Sequence, residues 1–230
     1  MATILVDLDG TLLPLSAWNP VFAEACAVIA EKAGVSPEEV WRRARQRNLA
    51  LTRRLDWRAF DWQAILDSVA EELGAGRAPD IVTLLRKHLP GFQLSDGAVE
   101  ALEELKALGH RVEIATNGHA AYQLPVIRRL GLDRLVDGVR TSDVYKCPKT
   151  CPEFFNGAHV MVGDNPVFDV YFPKRFGLLA VFYGNWEREA LEYSQRLLIP
   201  AYNVRPDAAV ETLRELPKTV EAVLKNKSIP

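Results

Sequence analysis

The chain has little sulfur, no excess of either charge and no long apolar run, and each shortage removes a class of protein. Three cysteines among 230 residues, an odd number, do not make the framework of a disulfide-stapled secreted domain. Lys and Arg number 28 against 30 Asp and Glu, giving a formal net charge of -2. That balance lacks the basic footprint that tracks a phosphate backbone, so nucleic acid is not an expected partner. No apolar stretch approaches the roughly 20 residues that span a bilayer, and no membrane association is expected. The apolar N-terminus has no basic lead-in and is interrupted by Asp7 and Asp9, so export is not expected either. Together these absences point to a reducing cytoplasm. Internal repeats and low-complexity tracts are missing too, and nothing in the composition fixes an oligomeric state.

What is present is apolar residue in short bursts. Hydrophobic side chains make up 48% of the chain, ample for a packed core. Runs at 3–9, 111–116, 136–142, 159–164 and 177–183 are mostly continuous rather than alternating, as expected of strands buried on both faces of a parallel sheet. Between some of them lie helical patterns, clearest in "DGAVEALEELKALGH", where Ala98, Leu102, Leu105 and Leu108 share a face and Gly109 supplies a stop. Alternating strand and helix predicts an α/β fold with a doubly wound, Rossmann-like parallel sheet.

Residues 15–90 differ. They hold four of the five tryptophans, long amphipathic segments and no convincing strand. "SPEEVWRRARQRNLA" opens with a capping Ser36, proline at the first helical position and acids in the first turn. Further helices are expected in "DWRAFDWQAILDSVAEELG" and "APDIVTLLRKHLPG", and the tail "RPDAAVETLRELPKTVEAVL" reads as a closing helix that Pro217 starts, breaks or kinks. The predicted organisation is an α/β core of residues 1–14 and 91–230 with an all-helical insertion at 15–90.

In open α/β sheets, ligands gather at the carboxyl ends of the strands. Asp7 and Asp9 end the first run, Thr116 and Asn117 the second, and Asp164 ends "HVMVGD", with Asp169 five residues on. Clustered carboxylates resist ionising together unless a cation neutralises them. An oxygen-only donor set suits Mg²⁺ better than Zn²⁺. Each piece alone has an ordinary reading as a turn or a cap, Asn-Gly above all.

"DLDGTLL", "IATNG", a lysine in "KTCPEFF" and "VMVGDNPVFD" together resemble, in order, the four motifs of the haloacid dehalogenase-like hydrolase superfamily. The resemblance implies that 15–90 is a helical cap and that the chain is a phosphatase acting on a small phosphorylated metabolite. It implies Asp7 as nucleophile, Asp9 as general acid and base, and Thr116 and Asn117 as ligands of the phosphoryl oxygens. Lys149 would offset their charge, and Mg²⁺ would be held by Asp7, the Asp9 backbone carbonyl and Asp164, with Asp169 orienting a metal-bound water or completing the shell. Lys149 is chosen over Lys146 because "KTCPEFF" is similar to the family's KPxPExF pattern, with Thr150 in place of the first proline. Rival readings are a haloacid dehalogenase, a phosphomutase, and a binding protein that has kept the fold without the chemistry.

The remaining residues receive plainer expectations. Cys147 and Cys151 are read as small packing residues. The run "RRARQRNLALTRR" is read as a solvated helix face, with contact to an anionic substrate tail as the other reading. Trp57, Phe60 and Trp62 are read as cap core, and His119 as an exposed histidine at a helix start. The span from Thr141 to His159 is expected to be loop plus about one helical turn, because Pro148, Pro152 and Gly157 interrupt it.

Overall fold

A computed structural model describes residues 1–227. β1 (Thr3–Val6), β2 (Arg111–Thr116), β3 (Gly138–Thr141), β4 (Val160–Gly163) and β5 (Leu179–Tyr183) each fall inside one of the five apolar runs. A further strand, β6 (Ala208–Val210), completes a six-stranded sheet in the order β3-β2-β1-β4-β5-β6. All pairings are parallel, with Ile4 opposite Val112 on one side and Val160 on the other. Strand order reverses between β1 and β4, and the carboxyl ends of those strands flank the crevice where such sheets bind ligands.

Residues 15–91 contribute helices and no strand: α1 (Asn19–Ala33), α2 (Pro37–Arg53), α3 (Trp62–Glu72) and α4 (Ile81–His88). The Ser36 hydroxyl accepts from the Glu39 N–H at 3.3 Å, and Asp80 caps α4 in the same way through the Thr83 N–H. The second expected helix is divided. Asp61 accepts from the Ala64 N–H at 3.1 Å, capping α3 afresh after a short turn over Trp57–Phe60.

The rest of the chain supplies α5 (Ala98–Ala107), α6 (Ala120–Arg129), α7 (Ser142–Tyr145), α8 (Phe172–Arg175), α9 (Trp186–Leu197) and α10 (Leu216–Asn226). α7 and a turn at Pro152–Phe155 are all the helix that the β3 to β4 crossover contains, as its prolines predict. The buried Arg140 holds this abbreviated crossover: it donates to the carbonyls of Phe154 at 2.7 Å and Asn156 at 3.0 Å, and to Glu113 on β2 at 2.7 Å.

Three expectations are corrected. The tail is not one helix: Ala208–Val210 pairs with β5, and α10 begins only at Leu216, with Pro217 in its first turn. Three small or branched residues on an edge show no period to betray a strand. Cys147 and Cys151 are not separate packing residues; they are joined by a disulfide, with Lys149 in the loop between them. The loop doubles back far enough to set their Cα atoms 6.4 Å apart, within disulfide reach. This pairing runs against the expectation of reduced thiols. His119 is buried, not exposed, and its Nε2 lies 3.2 Å from the Trp57 carbonyl oxygen.

Candidate active site

The sheet continues one residue past β1, where the Asp7 N–H donates to the Val162 carbonyl at 2.8 Å, and then turns sharply. Gly10 makes the turn possible. Its φ is +98°, and a Cβ there would lie 2.3 Å from an Asp164 carboxylate oxygen. Gly163 makes equivalent room for Asp169, whose carboxylate would meet a Cβ at 2.2 Å. Two glycines thus let backbone and acids crowd together at the β1 and β4 ends.

Asp7, Asp164 and Asp169 present carboxylate oxygens within 4.8 Å of one another, a spacing able to hold a metal ion. The buried Lys149 reaches into the same group, its Nζ 2.6 Å from Asp7 and 2.5 Å from Asp169. Burial alone lowers the affinity of that amine for its proton, but Asp169 and Asp7 outweigh it and hold the ammonium above the ordinary lysine range. Asp164 is pushed well above the usual carboxylate range by burial, then by the charges of Asp7 and Asp169. One cation does not balance these acids, and oxygen donors with surplus negative charge fit a hard divalent ion.

The Asp164–Asp169 loop is a wide helical turn in which neighbours orient one another. Asn165 accepts from the N–H groups of Val167 and Phe168, while its own N–H donates to Asp169 at 2.9 Å. On the other side, Asn117 accepts from the Lys149 N–H at 2.8 Å and so anchors the lysine loop. The Thr116 hydroxyl accepts from the Gly118 N–H at 3.0 Å, leaving its own proton free to donate. Lys146 does not reach the acids; it is exposed, with Nζ 4.4 Å from the Trp57 ring centroid.

Asp9 is held by two donors that the motifs do not reveal. Trp18 Nε1 and Gln123 Nε2 each donate to one of its carboxylate oxygens at 2.6 Å. Burial, then the Asp7 charge, raise Asp9 to about 6 despite these donors. Trp18 precedes α1 and Gln123 lies in α6, so only tertiary contact joins them. No sequence signal ties either residue to Asp9.

A cavity of about 350 Å³ opens over this group. Asp7, Asp9, Thr116, Asn117, Lys149 and Asp164 line it from the sheet side, and Phe22, Trp41, Arg45 and Trp62 from the helical segment. Trp41 and Trp62 stack with centroids 5.6 Å apart, and Phe22 packs on both. Trp62 therefore faces the cavity as well as the helical core, Phe60 faces it while packing edge-on against Phe168, and Trp57 lies outside that lining. Asp169 sits behind it, fully buried. The helical segment meets the sheet domain through Tyr122, which donates to Asp61 at 3.1 Å, and through Arg53, which donates to the Arg196 carbonyl at 2.9 Å.

Known proteins resemble this chain in sequence and fold. A family model described as haloacid dehalogenase-like hydrolase matches residues 1–177. The chain is 28% identical to GMP/IMP nucleotidase YrfG from Escherichia coli over 64% of its own length and 62% of that enzyme's, so the match spans less than two thirds of that relative. It is also 28% identical to a ribulose-1,5-bisphosphate 5-phosphatase from Halopiger xanaduensis, over 94% of this chain and 98% of the relative. Among solved structures, a HAD phosphatase from Thermococcus onnurineus superposes with a TM-score of 0.72 at 27% identity, covering 96% of this chain and 98% of the other. With three motifs at strand ends of one parallel sheet, the lysine loop brought onto them, and the family match spanning most of its length, the chain belongs to the haloacid dehalogenase-like hydrolases.

Proposed function

We propose that the chain is a Mg²⁺-dependent phosphatase that hydrolyses a small phosphorylated metabolite through an aspartyl-phosphate on Asp7. The observation that carries this reading is the pairing of two unlike acids at one cavity. Asp7 is held by the Lys149 ammonium, and Asp9, raised to about 6, stands ready to give and take a proton. Relatives named for nucleotide, sugar bisphosphate and triose phosphate hydrolysis support the same substrate class.

In this reading an Asp7 oxygen attacks phosphorus, the bond to the ester oxygen breaks, and Asp9 protonates the departing alkoxide. Asp9 then takes a proton from water, whose oxygen attacks phosphorus and releases inorganic phosphate and free Asp7. The Thr116 hydroxyl and the backbone N–H of Asn117 bind the phosphoryl oxygens, and Lys149 offsets their charge. Asp7, the Asp9 carbonyl, Asp164 and Asp169 would hold Mg²⁺, which would supply positive charge between carboxylate and phosphate. Residues 15–90 act as the cap that excludes bulk water and chooses the leaving group, and 1–14 with 91–230 as the catalytic core. The partner in this reading is a free metabolite rather than nucleic acid or membrane. A dehalogenase attacks carbon and needs neither a leaving-group proton nor a cation, so Asp9 and Asp164 argue against it.

The test is hydrolysis of p-nitrophenyl phosphate, with Mg²⁺ and with EDTA, beside an Asp7→Asn variant. Turnover that depends on the metal and disappears with the substitution supports the reading. Chloroacetate dehalogenation indifferent to EDTA overturns it. Phosphoglycolate and sugar phosphates are the first physiological trials.

A further inference from the structure

The five arginines of α2 differ in their partners, and Arg53 at its end donates to the Arg196 carbonyl at 2.9 Å. Arg42 pairs with Glu39 at 2.7 Å, Arg43 with Glu39 at 2.6 Å and with Glu72, and Arg47 with Glu72. Arg45 has no carboxylate partner among the described residues. It lies instead over the Trp41 ring, 5.7 Å from the centroid, and lines the cavity above Asp7. Arg196, in the last turn of α9, repeats the pattern from the opposite domain. It too lacks a carboxylate partner among the described residues, is stacked 4.0 Å from the Tyr193 ring centroid, and lines the same cavity. Both arginines also line an adjoining cavity of about 320 Å³, together with Asn48 and Asn165.

Aromatic faces position these guanidiniums without neutralising them, so their hydrogen-bond donors remain available. Two like charges lining one cavity repel: Arg45, although exposed, is lowered from its ordinary value by partial desolvation and then by the Arg196 charge. A surface arginine serving only solubility has no need to face a second one across a domain junction. An anion lying between them removes the repulsion and gains charge-assisted hydrogen bonds.

We infer that Arg45 and Arg196 form an anion clamp spanning the helical segment and the sheet domain, and that the substrate carries a second anionic group, a carboxylate or a second phosphate, besides the phosphoryl group that faces Asp7. This deepens the proposed phosphatase function and rests on it for the orientation of the ligand. A doubly anionic ligand bridges both domains, so its binding also favours their approach. The basic run of α2 is therefore a solvated face at its paired arginines and a recognition element at Arg45.

Equilibrium binding separates this clamp from the chemistry. Calorimetric titration in Mg²⁺ compares propylphosphonate, which has one anionic group, with phosphonopropionate and with propylene diphosphonate, which have two. The expected result is a gain of about tenfold in affinity for at least one doubly anionic ligand. Arg45→Gln or Arg196→Gln should shrink that gain to about twofold or less, and Arg45→Lys should keep part of it. A gain confined to phosphonopropionate identifies the second group as a carboxylate, and one confined to the diphosphonate as a phosphate. Equal affinity for all three ligands, or a gain that survives both Gln substitutions, overturns the clamp. If the gain is present but no phosphomonoester is hydrolysed, the phosphatase reading falls and the clamp stands.

Discussion

Lys149 and Arg140 are both buried cations, in the middle and at the start of the same crossover, but their surroundings are opposite in sign. Arg140 shares one carboxylate, Glu113, with Arg111, and donates from Nη1 to two backbone carbonyls. Every charge there has a partner. Lys149 alone faces Asp7 and Asp169, with Asp164 and Asp9 crowded beside them. Buried ion pairs that are complete hold structure in place, and breaking one strands a charge. Buried groups left with surplus charge are costly, and they persist where a ligand or a reaction uses the imbalance. The shifts follow suit: Asp9 and Asp164 are raised, whereas Glu113 is lowered.

The strongest way to break this contrast is to remove one acid from the crowded cluster. Asp164→Asn should cut phosphatase turnover about a thousandfold or more while raising the melting temperature of the protein in EDTA, because it relieves repulsion in the absence of metal. Steady-state kinetics and calorimetry on one preparation read both effects. A fall in activity together with a fall in stability would place Asp164 among ordinary structural carboxylates.

Arg140→Met is the mirror experiment. It strands Glu113 with only the exposed Arg111 and leaves two carbonyls without their donor, at a cost of about 3 kcal/mol. For a domain of this size that corresponds to a melting temperature lower by roughly 10 °C. The protein that remains folded should keep its KM, since Arg140 is absent from the cavity lining.

The two clusters also differ in how far the sequence announces them. Asp7, Asp9, Asp164 and Asp169 are legible because strand ends are legible: an apolar run stops, and an acid stands where the sheet opens. The same logic finds five strands and the helical insertion. It fails where three-dimensional contact does the work. Glu113 sits within a buried strand with nothing beside it to identify Arg140 as its partner, and Trp18 and Gln123 converge on Asp9 from helices far apart in the chain. β6 is too short to show a period, and the Cys147–Cys151 bond depends on how tightly one loop turns.

Added metal should distinguish the clusters with a smaller effect. A ligand that binds only the folded state at about a hundred times its dissociation constant contributes about 2.7 kcal/mol. Mg²⁺ should therefore raise the melting temperature of the unsubstituted protein and of Arg140→Met alike, by roughly 5 °C or more. Asp164→Asn should show little of that rise. Equal stabilisation of all three would mean that the ion binds elsewhere.

The smallest effect is a slope in pH. Desolvation pushes the Glu113 carboxyl up, but hydrogen bonds from Arg111 and Arg140 and the charges of both outweigh it, leaving Glu113 below its ordinary 4.5. A depressed carboxylate contributes stability that is fully present above its unfolded value and is lost as pH falls through the folded one. The loss therefore begins near pH 4.5 and continues below it. Glu113→Gln should flatten the fall in that window when denaturant midpoints are compared from neutral pH downward. Asp9, Asp164 and Asp169 give the opposite sign, because carboxyls raised in the folded state bind protons more tightly there and gain stability as pH falls. A slope that persists unchanged in Glu113→Gln would show that other carboxylates govern acid unfolding, and that the balanced cluster is not where this sheet is pinned.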